Sequence, residues 1–258
     1  MPEYGPFRHL DLAVHDGLAT LRIDRPESHN VLNAATLDDL DGAFTQIEVD
    51  DGVEAVVIEG AGDEAFSAGA DLSEYAGPTD AHERSEKERQ HEQFRAPHDC
   101  PVPVIARIDG YCIGGGLVLA LHCDLRIASE RSTFGLPTAA VGMLPTGGAT
   151  RRLVDAVGES VAKELVFTAE RIDAGRAREV GLVTDVVPSE RIGERVDDLA
   201  ASMGAVGPEA LGRAKRSINA AVAAPDPATA RGHEASLWWE QFESEERRER
   251  VESFLDGA

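Results

Sequence analysis

Two short stretches of small residues, SAGAD at 67–71 and GYCIGGG at 110–116, are built to present backbone N–H groups rather than side chains. Each follows an apolar run with strand character, VEAVVIEG at 53–60 and PVPVIARIDG at 101–110, and each leads into a short helical pattern. Small residues at such a turn let a ligand oxygen approach amides that a bulkier side chain would cover. Two amides converging on one oxygen make an oxyanion hole, where removing one donor costs about 3–4 kcal/mol of transition-state stabilisation. Taken singly, three glycines are more often a tight turn or a helix start. AGAD alone reads as a cap, with Asp71 bonding the amides that follow. The chemical reading rests on the pair.

An oxyanion hole with no nucleophile beside it suits a thioester. Its α-protons acidify when two donors hold the carbonyl oxygen, and an enolate becomes accessible. No Ser–His–Asp order and no metal-ligand spacing of His and Cys competes with this reading. His122 lies one helical turn beyond Val118 and so within approach of such a pocket, but a histidine packed within its helix is the plainer reading. Cys100, Cys112 and Cys123 are an odd count at no metal-ligand spacing, which predicts reduced thiols and a cytoplasmic setting.

The elements that must position these turns alternate. Strand-like runs at 17–24, 53–59, 102–109, 123–128 and 182–187 are separated by helical patterns, which predicts an α/β chain with right-handed crossovers. Residues 80–95, DAHERSEKERQHEQFR, are polar almost all round and predict a solvated helix with Phe94 as its main apolar residue. After Pro188 the chain turns helical, over 191–203, 208–222 and 229–255, with AAPDP at 223–227 breaking the last two. Trp238, Trp239 and Phe242 form an aromatic cluster that reads as packing.

In order and spacing, the strand, AGAD, a polar helical insertion, a Pro-flanked strand and DGYCIGGGLVLALHCDLRIAS resemble the crotonase superfamily, the enoyl-CoA hydratase/isomerase family. LRIDRPESHNVLN at 21–33 is similar to the family's "RP…NALN" segment. The resemblance continues through FGLPTAAVGMLPTGGATRRL at 134–153, AKELVFTAERIDAGRAREVGLVTDVVP at 162–188 and GPEALGRAKRSIN at 207–219, and so covers residues 8–255. It implies a crotonase-like spiral of ββα units over residues 1–190. A C-terminal helical region over 191–258 would pack the chain into homotrimers, often paired as hexamers. The ligand implied is an acyl-CoA thioester, with coenzyme A part of the substrate and no further cofactor or metal. Matched position by position, the oxyanion donors fall on Ala70 and Gly115. The coenzyme contacts fall on Ser28, Val31, Ala68, Ala70, Asp71, Leu72 and Gly115.

The chain departs from the family where acid–base chemistry is expected. Hydratases of the family carry glutamates at the positions that here read Val118 and Thr138. Neither residue is a base at neutral pH, and general acid–base groups contribute about 10²–10⁴-fold each. Efficient hydration by the usual route is therefore not expected; isomerisation, decarboxylation or hydrolysis through the enolate remain open. So does an acyl-CoA-binding protein that kept the fold without catalysis. Glu74 and Asp71 are the carboxylates nearest the site by sequence. Family lysines for the nucleotide phosphates are replaced by Glu64, Ser73 and Gly257, with Arg25, Arg151 or Arg152 as possible substitutes.

The chain of 258 residues carries 47 acidic and 25 basic residues, net −22, and only Lys87, Lys163 and Lys215 are lysines. Acids dispersed along the chain, with arginine in place of lysine, predict an intracellular protein of a high-salt setting, where screening suppresses self-repulsion. No basic stripe is present to neutralise phosphates, which argues against nucleic acid as a partner. The opening MPEYGPFRHL lacks a signal-peptide pattern, and no apolar run of membrane-spanning length occurs.

Overall fold

The computed structural model describes residues 4–77 and 80–256. Leu10–His15 (β1) and Leu18–Ile23 (β2) form a hairpin, followed by Ala34–Glu48 (α1), Ala55–Gly60 (β3) and Ala65–Ser67 (β4). Next come Ala81–Gln93 (α2), Ala96–Asp99 (α3), Val104–Ile108 (β5), Tyr111–Ile113 (β6) and Gly115–His122 (α4). Leu125–Ser129 (β7), Thr133–Gly135 (β8), Ala149–Thr168 (α5), Ile172–Asp173 (β9), Ala174–Glu179 (α6) and Asp185–Val187 (β10) follow. Four helices close the chain: Ile192–Val206 (α7), Pro208–Ala223 (α8), Pro227–Phe242 (α9) and Glu245–Asp256 (α10).

The strands sort into two sheets. The larger runs β1-β2-β3-β5-β7-β10, antiparallel only between β1 and β2. The smaller runs β4-β6-β8-β9, antiparallel only between β8 and β9. Successive pairs β3/β4, β5/β6 and β7/β8 each give one strand to each sheet, and the chain then returns. This is the α/β spiral of ββα units, with parallel pairing inside both sheets. The corner between β5 and β6 needs Gly110, whose φ is +86°, and a Cβ there would lie 2.0 Å from the Glu64 carbonyl oxygen.

Alternate residues of the large sheet face different layers, as strand periodicity dictates. Val56, Ile58, Val104, Ala106 and Ala128 join the main core with Leu37, Leu40 and Phe44 of α1 and with Leu117 and Leu121 of α4. Val57, Ile105 and Ile127 face the other way and pack on Ile192 and Val196 of α7. Strands covered on both faces read as largely apolar runs, as β3, β5 and β7 do, and β2 and β10 also fall within runs expected from the sequence. The hairpin strand β1 and the three- and two-residue strands of the small sheet lack that signal, and sequence periodicity passed them over.

One further difference from the sequence expectation concerns the C-terminal part, whose first helix, α7, packs on the second face of the large sheet. The helix expected over 229–255 is two helices, since Ser244 ends the run and its Oγ accepts the Arg247 N–H at 3.2 Å, a capping bond for α10. Helix α2 is solvated as expected, with Phe94 buried beyond its end. Among the described residues no helix is long and apolar enough to cross a membrane.

Candidate active site

The two small-residue turns meet. Leu32 forms an isolated parallel bridge to Ala70: its N–H donates to Gly69 O at 2.7 Å and its carbonyl accepts from Asp71 N–H at 3.1 Å. In such a bridge Leu32 bonds the residues on either side of Ala70, so Ala70's own N–H points away from the partner segment. Gly115 is the first residue of α4, whose first-turn amides have no intrahelical acceptor. Among the described residues neither the Ala70 nor the Gly115 N–H has a protein acceptor. They are close neighbours: a Cβ on Gly115 would lie 3.1 Å from Ala70 N. Both residues are partly accessible.

The surroundings hold this approach. Gly114 N–H donates to Gly135 O at 2.9 Å and fixes the start of α4 against the end of β8. Gly116 packs so tightly on β4 that a Cβ there would sit 2.4 Å from Ser67 O. The Ser67 hydroxyl, fully buried, accepts the Gly69 N–H at 3.2 Å. Asn30 is the residue that sequence reading overlooked. Fully buried, it donates from Nδ2 to Ala61 O at 2.9 Å and Ala65 O at 2.7 Å, and accepts the Arg25 N–H on Oδ1 at 3.0 Å. A buried polar side chain needs its partners satisfied, and here all three are backbone groups of the segments that deliver Ala70. Its one sequence signal is its place among the polar residues between β2 and α1.

The expected coenzyme-contact residues come together. Ser28 and Val31 lie on the turn after β2, Asp71 and Leu72 on the turn after Ala70, and Arg25 ties the two. Its guanidinium donates to Val31 O at 2.9 Å and lies 3.8 Å from the Asp71 carboxylate. Ala68 N–H donates to His29 O at 2.9 Å in the same seam. The other arginines offered as phosphate partners are elsewhere. Arg151 donates to Val222 O and pairs with Asp155, and Arg152 reaches Leu121 O at the far end of α4. Glu64 pairs with His29 at 2.7 Å, Ser73 bonds Asp71, and Gly257 lies outside the described residues.

Val118 sits on the first turn of α4, buried, one turn above Gly115. Thr138 lies in the short 3-10 helix Pro137–Val141, three residues after the Gly135 carbonyl that anchors Gly114. Its Oγ1 is buried with no protein partner. Leaving a hydroxyl unpaired costs about 1–3 kcal/mol, so it is a group in want of a ligand or water. The two carboxylates nearest by sequence are both engaged. Glu74 accepts the Ala34 N–H at 3.2 Å and meets Lys87 at 3.4 Å. Asp71 accepts from the Ser73 hydroxyl and amide, and these bonds hold its carboxyl below the usual carboxylate range. A carboxylate stabilised in this way is a weak base. His122 is buried in the helix, as read first from the sequence. The three cysteines are buried, and burial raises the Cys123 thiol to about 12, leaving it protonated.

The arrangement defines an α/β spiral protein in which two neighbouring backbone amides have no protein acceptor among the described residues. The family model for enoyl-CoA hydratase/isomerase matches residues 13–257. Over 239 residues the chain is 35% identical to the short-chain-enoyl-CoA hydratase of Clostridium acetobutylicum, covering 93% of this chain and 91% of that protein. It is 33% identical over 250 residues to the crotonyl-CoA hydratase of Syntrophomonas wolfei, with 97% and 96% covered. The crystal structure of an enoyl-CoA hydratase from Bacillus anthracis superposes with a TM-score of 0.92 at 32% identity, covering 97% of each chain. The chain belongs to the enoyl-CoA hydratase/isomerase family of the crotonase superfamily.

Proposed function

We propose that this protein is an acyl-CoA enzyme that holds a thioester carbonyl between the amides of Ala70 and Gly115 and stabilises the enolate, without the acid–base pair that water addition requires. The single observation behind it is the adjacency of two amides that have no protein acceptor, 3.1 Å from Ala70 N to a Cβ on Gly115. Preorganised donors of this kind act on charge as it develops, and they need no proton of their own. Adding water needs a base to activate it and an acid to complete the addition. Positions 118 and 138 supply a buried methyl pair and a hydroxyl. Decarboxylation of a 2-carboxyacyl thioester fits best, because the C–C bond breaks with its electron pair entering the enolate as CO2 leaves; no base starts the step, and the α-carbon then takes its proton from water. Isomerisation would need a proton carrier, for which Thr138 Oγ1 can hold a water. Coenzyme A enters with the substrate, against Arg25 and the Ser28–Val31 and Ala68–Leu72 backbone.

A second reading, acyl-CoA binding without turnover, is favoured by the same pair Val118 and Thr138. A panel of crotonyl, 3-enoyl, 3-hydroxyacyl and methylmalonyl thioesters, assayed in molar KCl, separates the two. The enzyme reading expects methylmalonyl turnover with slow or absent hydration; binding of all four without turnover would replace it with the second.

The proposal includes an assembly of copies, a homotrimer or hexamer, in the cytoplasm of a high-salt organism. Trp238 and Trp239 are 53% and 55% exposed; Trp238 stacks on Phe242 at a centroid distance of 4.8 Å and Trp239 meets Phe242 edge-on at 5.6 Å. Such an apolar cluster on a single chain fits burial between copies. Net −22 makes screening of self-repulsion stabilising, so the melting temperature should rise between about 0.1 M and 3 M KCl; a flat or falling curve would remove the salt reading.

A further inference from the structure

At the opposite end of α4 from Gly115 lies a cavity of about 930 Å³, between the last turn of α4, the start of α5 and one face of α8. Its wall carries five guanidinium or ammonium groups, Arg95, Arg126, Arg151, Arg152 and Lys215, against three carboxylates, Glu92, Asp124 and Asp155. That is a local cationic excess inside a chain of net −22. Most of these cations are partnered. Arg151 pairs with Asp155 at 2.7 Å, Lys215 with Asp124 at 2.8 Å and Arg95 with Asp99 at 3.1 Å. The Arg126 guanidinium donates to Leu182 O and Cys123 O. Arg152 differs. It is half-buried, has no carboxylate within ion-pair distance among the described residues, and makes one long hydrogen bond of 3.5 Å to Leu121 O.

Beside it stands His122, 2% exposed. Its Nε2 lies 2.6 Å from Gly147 O, and since a carbonyl only accepts, Nε2 carries the hydrogen. Nδ1 is then a buried lone pair, and it has no hydrogen-bond partner. Burial lowers the pKa of His122 to about 4, with Arg152 and His98 adding to the effect, so the ring is neutral at neutral pH. The His98 ring, 6.4 Å away between centroids, is held near 4 in the same way, by burial and Arg152.

An unpaired guanidinium beside an unpaired buried acceptor calls for a ligand that is negative and still carries an O–H. We propose that this cavity binds a small hydroxylated oxyanion, hydrogen phosphate or a hydroxycarboxylate, with its charge on the Arg152 guanidinium and its hydroxyl donated to His122 Nδ1. Guanidinium suits the first contact because its fork matches oxyanion geometry. His122 lies seven residue steps along the helix from Gly115, about 10 Å along the axis, so the site is distinct from the paired amides and does not rest on the thioester reading.

Isothermal titration of the full-length protein at pH 7.5 and constant ionic strength tests it, with inorganic phosphate against sulfate, which has no proton to donate. Phosphate should bind saturably and at least tenfold more tightly than sulfate. Arg152→Gln should weaken phosphate tenfold or more, and His122→Phe should abolish the preference over sulfate. Should His122→Phe fail to fold, ¹⁵N spectra of the unaltered protein give the same answer: phosphate should move the Nδ1 resonance of His122 upfield. Displacement of phosphate by saturating acyl-CoA would place the oxyanion on the acyl group, and indifference to acyl-CoA would make it a free ligand; both keep the site. No saturable binding, equal affinity for the two anions, or phosphate affinity unchanged in Arg152→Gln would overturn it.

Discussion

The proposed site has a backbone half and a side-chain half, and the two are held in different ways. At Ala70 and Gly115 the donors are amides, fixed by a parallel bridge from Leu32, by the Gly114–Gly135 hydrogen bond and by the packing of Gly116 on Ser67. Val118 and Thr138 would act through side chains and supply none of the main-chain contacts of that frame, and there the chain has no carboxylate. A main-chain site is tied to the fold, whereas a side-chain site is tied only to its reaction. Polarisation of a carbonyl can therefore persist while the proton chemistry built on it alters.

The largest effect should come from rebuilding the side-chain half. Val118→Glu with Thr138→Glu should raise crotonyl-CoA hydration by up to about 10²–10⁴-fold per group, moderated by fitting long side chains where Val and Thr now pack. The assay is the loss of the conjugated enoyl absorbance. Rapid hydration by the unaltered protein would instead place a working carboxylate elsewhere and break the comparison.

Breaking the backbone half comes next. Gly115→Pro removes one N–H at the first position of α4, where proline is tolerated by the helix, and its Cβ would also press on the second donor, 3.1 Å from Ala70 N. It should reduce kcat on whichever thioester is turned over by about 10²–10³-fold, with the fold retained by circular dichroism. A loss confined to KM would mean the amide serves binding alone.

The frame has its own test. Asn30→Ala leaves the Ala61 and Ala65 carbonyls and the Arg25 amide without their buried partner and should lower stability by about 1–3 kcal/mol in denaturant unfolding. Turnover should fall with it, because the same bonds set the segment leading to Ala70. Unchanged stability would show the turn to be held by other contacts.

How far the sequence carried this depended on whether a feature was periodic or tertiary. Strands β3, β5 and β7 are buried on both faces and declare themselves as apolar runs, and the two small-residue turns follow directly from them. The small-sheet strands, two or three residues each, have no period to read. Ser244 could not be told from an ordinary helical residue until its bond to the Arg247 amide was seen. Asn30 looked like one polar turn residue among several, since its three partners are separated from it by up to 35 residues. Arg151 and Arg152 stand next to each other in sequence, yet one faces Asp155 and α8 and the other the end of α4, a distinction no spacing argument makes.

A crystal structure of the protein with a non-reactive acyl-CoA thioester analogue tests the central claim most directly. The account predicts the carbonyl oxygen about 2.7–3.1 Å from both the Ala70 and the Gly115 nitrogen, with no carboxylate against the α-carbon. A carbonyl oxygen lying away from both amides would contradict it.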